Sequence, residues 1–260
     1  EITLSGEIIR QKDFSWNASL LYAFNRNKVK HISVQPSLWD SRISMPTSYP
    51  MVGKPLYGIY AYKWAGLNEN GDPQVYDAEN NVTSGPARDY HALVYCGTTV
   101  PIHNASLTNV LRYKGFEFSA MLILDAGHKL RSSNIPSINM SNGRITSTAK
   151  GIVDRWTQPG DVTDVPRLLF SNDTENFNTH RTELYRYSDL FVYDASNIRL
   201  SNISLAYRVP AHWCKKISLS GARLQLNVEN VATFAFDSKA NYDLGGKVKP
   251  NYVWGLYLNF

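Results

Sequence analysis

Stretches of about ten residues in which apolar and polar side chains alternate one for one recur along this chain. That period of two is the pattern of a β-strand with one wet face and one apolar face. From Phe14 to Phe24, one face carries Phe14, Trp16, Ala18, Leu20, Tyr22 and Phe24, and the other Ser15, Asn17, Ser19, Leu21 and Ala23. From Phe116 to Ala126, Phe116, Phe118, Ala120, Leu122, Leu124 and Ala126 oppose Glu117, Ser119, Met121, Ile123 and Asp125. Leu224, Leu226 and Val228 oppose Arg223, Gln225, Asn227 and Glu229. Tyr252, Trp254, Leu256, Leu258 and Phe260 share one face at the end of the chain. Ile2 to Ile8 and Leu107 to Tyr113 alternate less cleanly. Ile198 to Tyr207 changes phase midway, and a β-bulge at Ser201-Asn202 reconciles its halves, since one extra residue moves the following side chains to the other face.

Seven strands follow, over about 1–10, 14–28, 105–113, 116–130, 197–208, 219–229 and 251–260. Their connections alternate in length. Short ones surround Gln11-Lys12-Asp13, Lys114-Gly115 and Pro210 to Lys216, and long ones cover roughly 29–104, 131–196 and 230–250. Outer-membrane barrels have this asymmetry of tight periplasmic turns and long outer loops. A soluble sandwich keeps most of its loops short. If Phe260 ends in the periplasm, counting strands backwards places all three short turns there. The long segments then hold extra strands only in even numbers.

Bulk properties agree with this reading and exclude others. The hydrophobic fraction is 43% and the charged fraction 19%, which is not a disordered composition. The longest apolar runs, such as Ala120 to Leu124, fall far short of the ~20 residues of a spanning helix, but barrel strands need only ~10 and are apolar on one face. The net charge of +5 is spread along the chain without a basic run, so no nucleic-acid partner is expected. Cys96 and Cys214 make neither a disulfide framework nor a zinc site. With one in an outer loop and the other in a periplasmic turn, they are expected to be free of each other. No signal peptide is visible at Glu1, which suggests a mature, cut or incomplete protein.

Motifs for catalysis and metal binding are weak. Asn68, Asn70, Asp72 and Glu79 approach a calcium loop, but Pro73 stands where the loop needs glycine, so a polar turn is the better reading. Asp125 and His128 would point to opposite faces of a strand, which leaves His128 a structural surface histidine. No nucleophile elbow, zinc-protease or phosphate-loop pattern occurs, and no enzyme, cofactor or metal is expected.

Four stretches resemble a known family. They are Val52-Gly53-Lys54-Pro55-Leu56-Tyr57-Gly58 with Gly66-Leu67-Asn68-Glu69-Asn70-Gly71-Asp72-Pro73; Leu111-Arg112-Tyr113-Lys114-Gly115-Phe116 with Gly127-His128-Lys129; Asp154-Arg155-Trp156-Thr157 with Pro166-Arg167-Leu168; and Ile198 to Tyr207, then Leu226 to Asn230 and the final aromatic strand. In order they cover nearly the whole chain, which resembles the C-terminal portion of the SusC/RagA-like TonB-dependent transporters of Bacteroidetes.

The resemblance implies an all-β, antiparallel up-and-down transmembrane barrel of about 22 strands in the cell outer membrane, with long extracellular loops. Residues 1–260 would supply about seven of those strands. The plug domain and the segment that contacts the TonB complex would belong to an N-terminal part absent from this chain. It further implies a SusD-like surface lipoprotein as partner and oligosaccharides or peptides as substrates. Tyr252, Trp254, Leu256, Leu258 and Phe260 resemble the terminal signal read by the outer-membrane assembly machinery. Trp39, Trp64, Tyr90 and Trp156 fall in the expected outer loops, where they could stack on substrate or simply pack the loops.

The competing reading is a soluble β-rich carbohydrate-binding or adhesin module. The direction of the apolar faces separates the two. In a barrel, Phe14, Trp16, Leu20, Phe118, Leu122, Leu226, Trp254, Leu256 and Phe260 face lipid, while Ser15, Asn17, Ser19, Glu117, Arg223, Gln225 and Asn227 face the lumen. In a soluble module the apolar set packs into a core.

Overall fold

The computed structural model describes residues 1–33, 41–85, 89–141, 144–145, 149–170, 179–245 and 249–260. The chain divides into two compact units, one of residues 1–25, 101–128 and 194–260, the other of 26–100 and 129–193.

The first unit is a seven-stranded antiparallel sheet of Ile2–Arg10, Phe14–Phe24, His103–Tyr113, Phe116–Ala126, Asn197–Arg208, Gly221–Ala235 and Asn251–Asn259, each strand beside its predecessor. All seven expected strands are present. The second and fourth end earlier than the sequence suggests, at Phe24 and Ala126, and the third begins earlier, at His103. The sixth runs on to Ala235 through Asn230, whose φ of 53° looks like a strand end in the sequence although pairing resumes beyond it.

The bulge falls where the phase change requires it. Ladders on both sides of the fifth strand slip between Leu200 and Asn202. A second slip, between Glu7 and Ile9, explains the imperfect alternation of the first strand.

Register fixes the two faces, because directly paired residues share a side. One continuous row runs Ile9, Trp16, Leu111, Phe118, Leu205, Leu226 and Trp254. Another runs Leu4, Leu20, Leu107, Leu122 and Leu200. A third, beside the short turns, runs Phe14, Tyr113, Phe116, Tyr207, Leu224 and Leu256. This face is not buried in a core: Leu4 is 62% exposed, Leu224 48% and Trp254 72%. Its polar members are satisfied by aromatic neighbours. Trp16 Nε1 donates to Asn109 at 3.1 Å, and Tyr22 Oη lies 2.8 Å from His103 Nδ1.

The opposite face carries the cross-linked polar residues, with Leu21, Val110, Met121, Ile123 and Val253 between them. Ser5 and Ser19 hydroxyls are 2.7 Å apart, Arg112 and Arg223 both donate to Glu117, and Asn104 donates to Asp125. Gln225 donates to Ser204 and Asn227. Ser15, Asn17, Ser19, Glu117, Arg223, Gln225 and Asn227 all lie on this side.

Pairings such as Phe24 with His103 and Asn197 with Asp125 put the starts of the first two long connections at one end of the sheet. The short turns, including the hairpin at Lys114-Gly115, lie at the other. The third short connection holds the helix Ala211–Lys215, with Cys214 buried.

The second unit is formed by the first two long connections and carries the apolar clusters, while the third, which the longer sixth strand shortens to residues 236–250, belongs to the first unit. Gly58–Tyr62, buried along its length, pairs with Leu93–Thr98. Tyr60, Tyr62, Val75, Ala92, Leu93 and Leu184 form one cluster, and Ile138, Tyr185 and Phe191 another. Among the described residues the extra strands of these connections form four small sheets of two or three strands and are not members of the large sheet.

Candidate functional site

The second unit holds an ion cluster centred on one buried arginine, with Asp72 and Arg167 half-buried beside it. Arg181, on the helix Thr179–Arg186, is 2% exposed. Its guanidinium donates to Asp72 at 3.2 Å, to the carbonyls of Ile138 and Arg167 at 3.1 and 2.7 Å, and to Asn139 Oδ1 at 3.2 Å. Arg167 grips both oxygens of Asp72, at 3.1 and 2.8 Å. Burial pushes the Arg181 guanidinium below its ordinary value, and Asp72 opposes that shift. Charges taken out of water hold together only when so fully bonded.

The cluster anchors two turns that form a groove. Asn68 Oδ1 accepts from the amides of Asn70 and Asp72 at 3.0 and 2.9 Å, and the backbone closes between Asn68 and Asp72. This is the polar turn expected from the sequence. Gly71, at φ +75°, lies against the Trp156 indole, where any Cβ would overlap the ring. The Arg167 amide donates to the Gly71 carbonyl, and the Trp156 amide to that of Val165.

Beyond Trp156 the chain reverses at Pro159-Gly160. Asp161 Oδ2 accepts there from the amide and hydroxyl of Thr157, each at 2.8 Å, and from the Gln158 amide at 3.1 Å. These bonds to the ionised form hold the Asp161 carboxyl below its usual value. Between the turns lies an open groove of about 770 Å³ lined by residues 67–70, 156 and 159–163.

The four aromatics singled out from the sequence have different surroundings. Trp64 packs against both apolar clusters, its ring 5.9 Å from Tyr185 and its Nε1 donating to Asp164 at 2.9 Å. Trp156 lines the groove. Trp39 lies outside the described residues, and Tyr90 opens the short 3-10 turn Tyr90–Ala92, its side chain also outside them. Trp64 does not line the groove, so the structure does not bring these two tryptophans to one site.

At the chain end, Tyr252, Trp254, Leu256, Leu258 and Phe260 are all exposed. Both cysteines are free, and burial pushes the Cys96 thiol up to about 11.

One expectation is corrected. His128 is 9% exposed rather than a surface residue, and among the described residues its Nδ1 has no partner. Desolvation lowers its pKa against the pull of Asp125 and Asp194. His128 follows the end of the fourth strand at Ala126, past Gly127 at φ +78°, so the alternation of an ideal strand does not apply to it. Sequence reasoning also missed Arg167, Arg181 and Asp161. The Pro159-Gly160 pair marks the turn that Asp161 closes, but nothing local announces a buried arginine.

No protein-family model matches the chain. Among curated proteins it is similar to TonB-dependent receptor P3 of Formosa agariphila, 24% identical over 98% of this chain and 26% of that protein. It is also similar to TonB-dependent receptor P26 of the same organism, 25% identical over 86% of this chain and 23% of that protein. The chain thus spans about a quarter of the length of the curated relatives it matches.

Among solved structures, that of the RagAB peptide transporter superposes with a TM-score of 0.71 at 20% identity, over 99% of this chain and 28% of that one. The RagAB peptide importer in its closed-closed state gives 0.68 at 21% identity, over 99% of this chain and 29% of that one. The fold is therefore that of a segment of these β-barrel transporters, and the chain is homologous to TonB-dependent receptors along nearly all of its length.

Proposed function

From that homology to TonB-dependent receptors, we propose that the chain is the C-terminal part of the transmembrane barrel of an outer-membrane importer of the SusC/RagA-like kind. One observation carries this reading: a seven-stranded sheet with a continuous, uncovered apolar face on one side and a bonded polar face on the other. Lipid solvates the first and a lumen the second. A soluble module would bury the apolar rows, whereas the apolar clusters of this chain lie in the loop unit.

In hydrocarbon each unpaired backbone group costs several kcal/mol, so the edge strands Ile2–Arg10 and Asn251–Asn259 need partners. Those partners are the other strands of a closed barrel of about 22. The cargo is a large nutrient, oligosaccharide or peptide, taken in with a SusD-like lipoprotein and with energy from TonB through an N-terminal part. The loop unit meets the cargo, with Trp156, Trp64, Trp39 and Tyr90 as its candidate contacts. The final strand, through Tyr252, Trp254, Leu256, Leu258 and Phe260, is the assembly signal, recognised by pairing with an exposed strand edge. Its role is transport and not catalysis.

The test places the full-length receptor in liposomes whose acyl chains carry bromine, with versions that keep a single tryptophan. Trp254 emission is quenched and Trp156 emission is not. Unquenched Trp254 would overturn the barrel reading.

A further inference from the structure

The groove beside Trp156 has a charge character that the importer reading does not supply. Its volume of about 770 Å³ falls within the ~300–1,000 Å³ usual for ligand sites. Two carboxylates line it, Glu69 and Asp161, and among the described residues no lysine, arginine or histidine does. Asp161 spends Oδ2 on the Thr157–Gln158 turn and keeps Oδ1. Glu69 has no partner among the described residues.

Some of the lining's donors are already committed. The Asn68 amide donates to Ser84, and the Thr163 hydroxyl donates to the Asp154 carbonyl. The groove therefore keeps side-chain donors only in Asn68, Asn70 and the Trp156 indole, and among the described residues its formal charge is wholly negative. Its floor is the Trp156 indole, locked in place by Gly71, and Leu67, Pro159 and the fully exposed Val162 add apolar surface.

We propose that this groove binds a lysine or arginine side chain of a peptide, with the cation between Glu69, Asp161 and the Trp156 ring and its aliphatic stem along Leu67, Pro159 and Val162. The inference rests on the reading of the loop unit as the part that meets cargo, and it adds a substrate class. An ammonium or guanidinium only donates, so it matches a lining rich in acceptors. An aromatic face attracts it further. A neutral sugar also needs donors for its hydroxyl oxygens, and an anionic ligand meets two like charges. Long basic side chains suit a site with an apolar wall and a charged end.

The experiment uses the full-length receptor in detergent and calorimetric titration with three blocked pentapeptides, Ala-Ala-Xaa-Ala-Ala, in which Xaa is lysine, norleucine or glutamate. A neutral linear glucose hexasaccharide is a fourth probe. The lysine peptide is expected to bind about tenfold more tightly than the norleucine peptide, and the glutamate peptide most weakly. Glu69→Gln, which breaks no bond among the described residues, removes most of the preference, and raised salt weakens it.

Equal binding of the lysine and norleucine peptides overturns the proposal. So does binding of the hexasaccharide alone, and so does binding of none of the probes. The quenching of Trp254 in the same protein is read separately. If it is quenched and no charge preference appears, this inference falls and the importer reading stands.

Discussion

The Trp156 indole rests on the bare backbone of Gly71, with the ring where any side chain at that position would project. The contact joins two stretches 85 residues apart, and the Asp72–Arg167 ion pair joins the same two. Gly71→Ala adds a Cβ that the ring must vacate, at a φ of +75° that costs an alanine ~1–2 kcal/mol. We expect Trp156 to leave its seat and the groove to lose its floor. The emission difference between Gly71→Ala and Gly71→Ala/Trp156→Phe should shift to the red of the corresponding wild-type difference. An unchanged difference spectrum would show that the ring does not depend on the glycine.

Leu122 and Leu256 occupy the same face at different heights. Leu122 sits in the leucine row near the middle of the sheet, and Leu256 in the aromatic-rich row beside the short turns. An arginine at the bilayer midplane of a barrel costs ~2–4 kcal/mol, falling to ~0–1 near the interface. Leu122→Arg should therefore lower the unfolding free energy of the lipid-embedded receptor by ~2–4 kcal/mol, and Leu256→Arg by less than half as much. Denaturant titration of folded and unfolded gel bands measures both. Equal costs would mean that the rows are not ordered by depth.

The Asp161 turn should respond to acid. Its carboxyl is held below the usual value chiefly by the Thr157 amide, then by the Thr157 hydroxyl and the Gln158 amide. The folded turn thus binds fewer protons than the unfolded one. Its contribution is present above the ordinary carboxylate pKa of about 4 and is lost as pH falls through the lowered folded value. Hydrogen exchange at Thr157 and Gln158, corrected for intrinsic rates, should lose protection on acidification below about pH 4. Asp161→Asn should remove that dependence. Protection that persists unchanged at pH 2 would refute the assignment.

The sheet was legible because its information is local. Each strand declares its faces by a period of two, and each lies beside the strand next in line, so connection length and parity alone gave the order and the shared end of the long loops. Even the slip at Ser201 is written in the phase change between Leu200 and Ile203. Strand ends were less legible, since pairing beyond Asn230 depends on the neighbouring strand rather than on the residue itself.

The loop unit was decided by tertiary structure. Asp72 meets Arg167 and Arg181 across 95 and 109 residues, and no periodicity links such positions. Trp64 and Trp156 look alike in sequence, yet one is packed between two apolar clusters and the other floors a groove. An alternating strand carries its pattern in its own residues, whereas a groove exists only where distant turns are brought together by a buried charge.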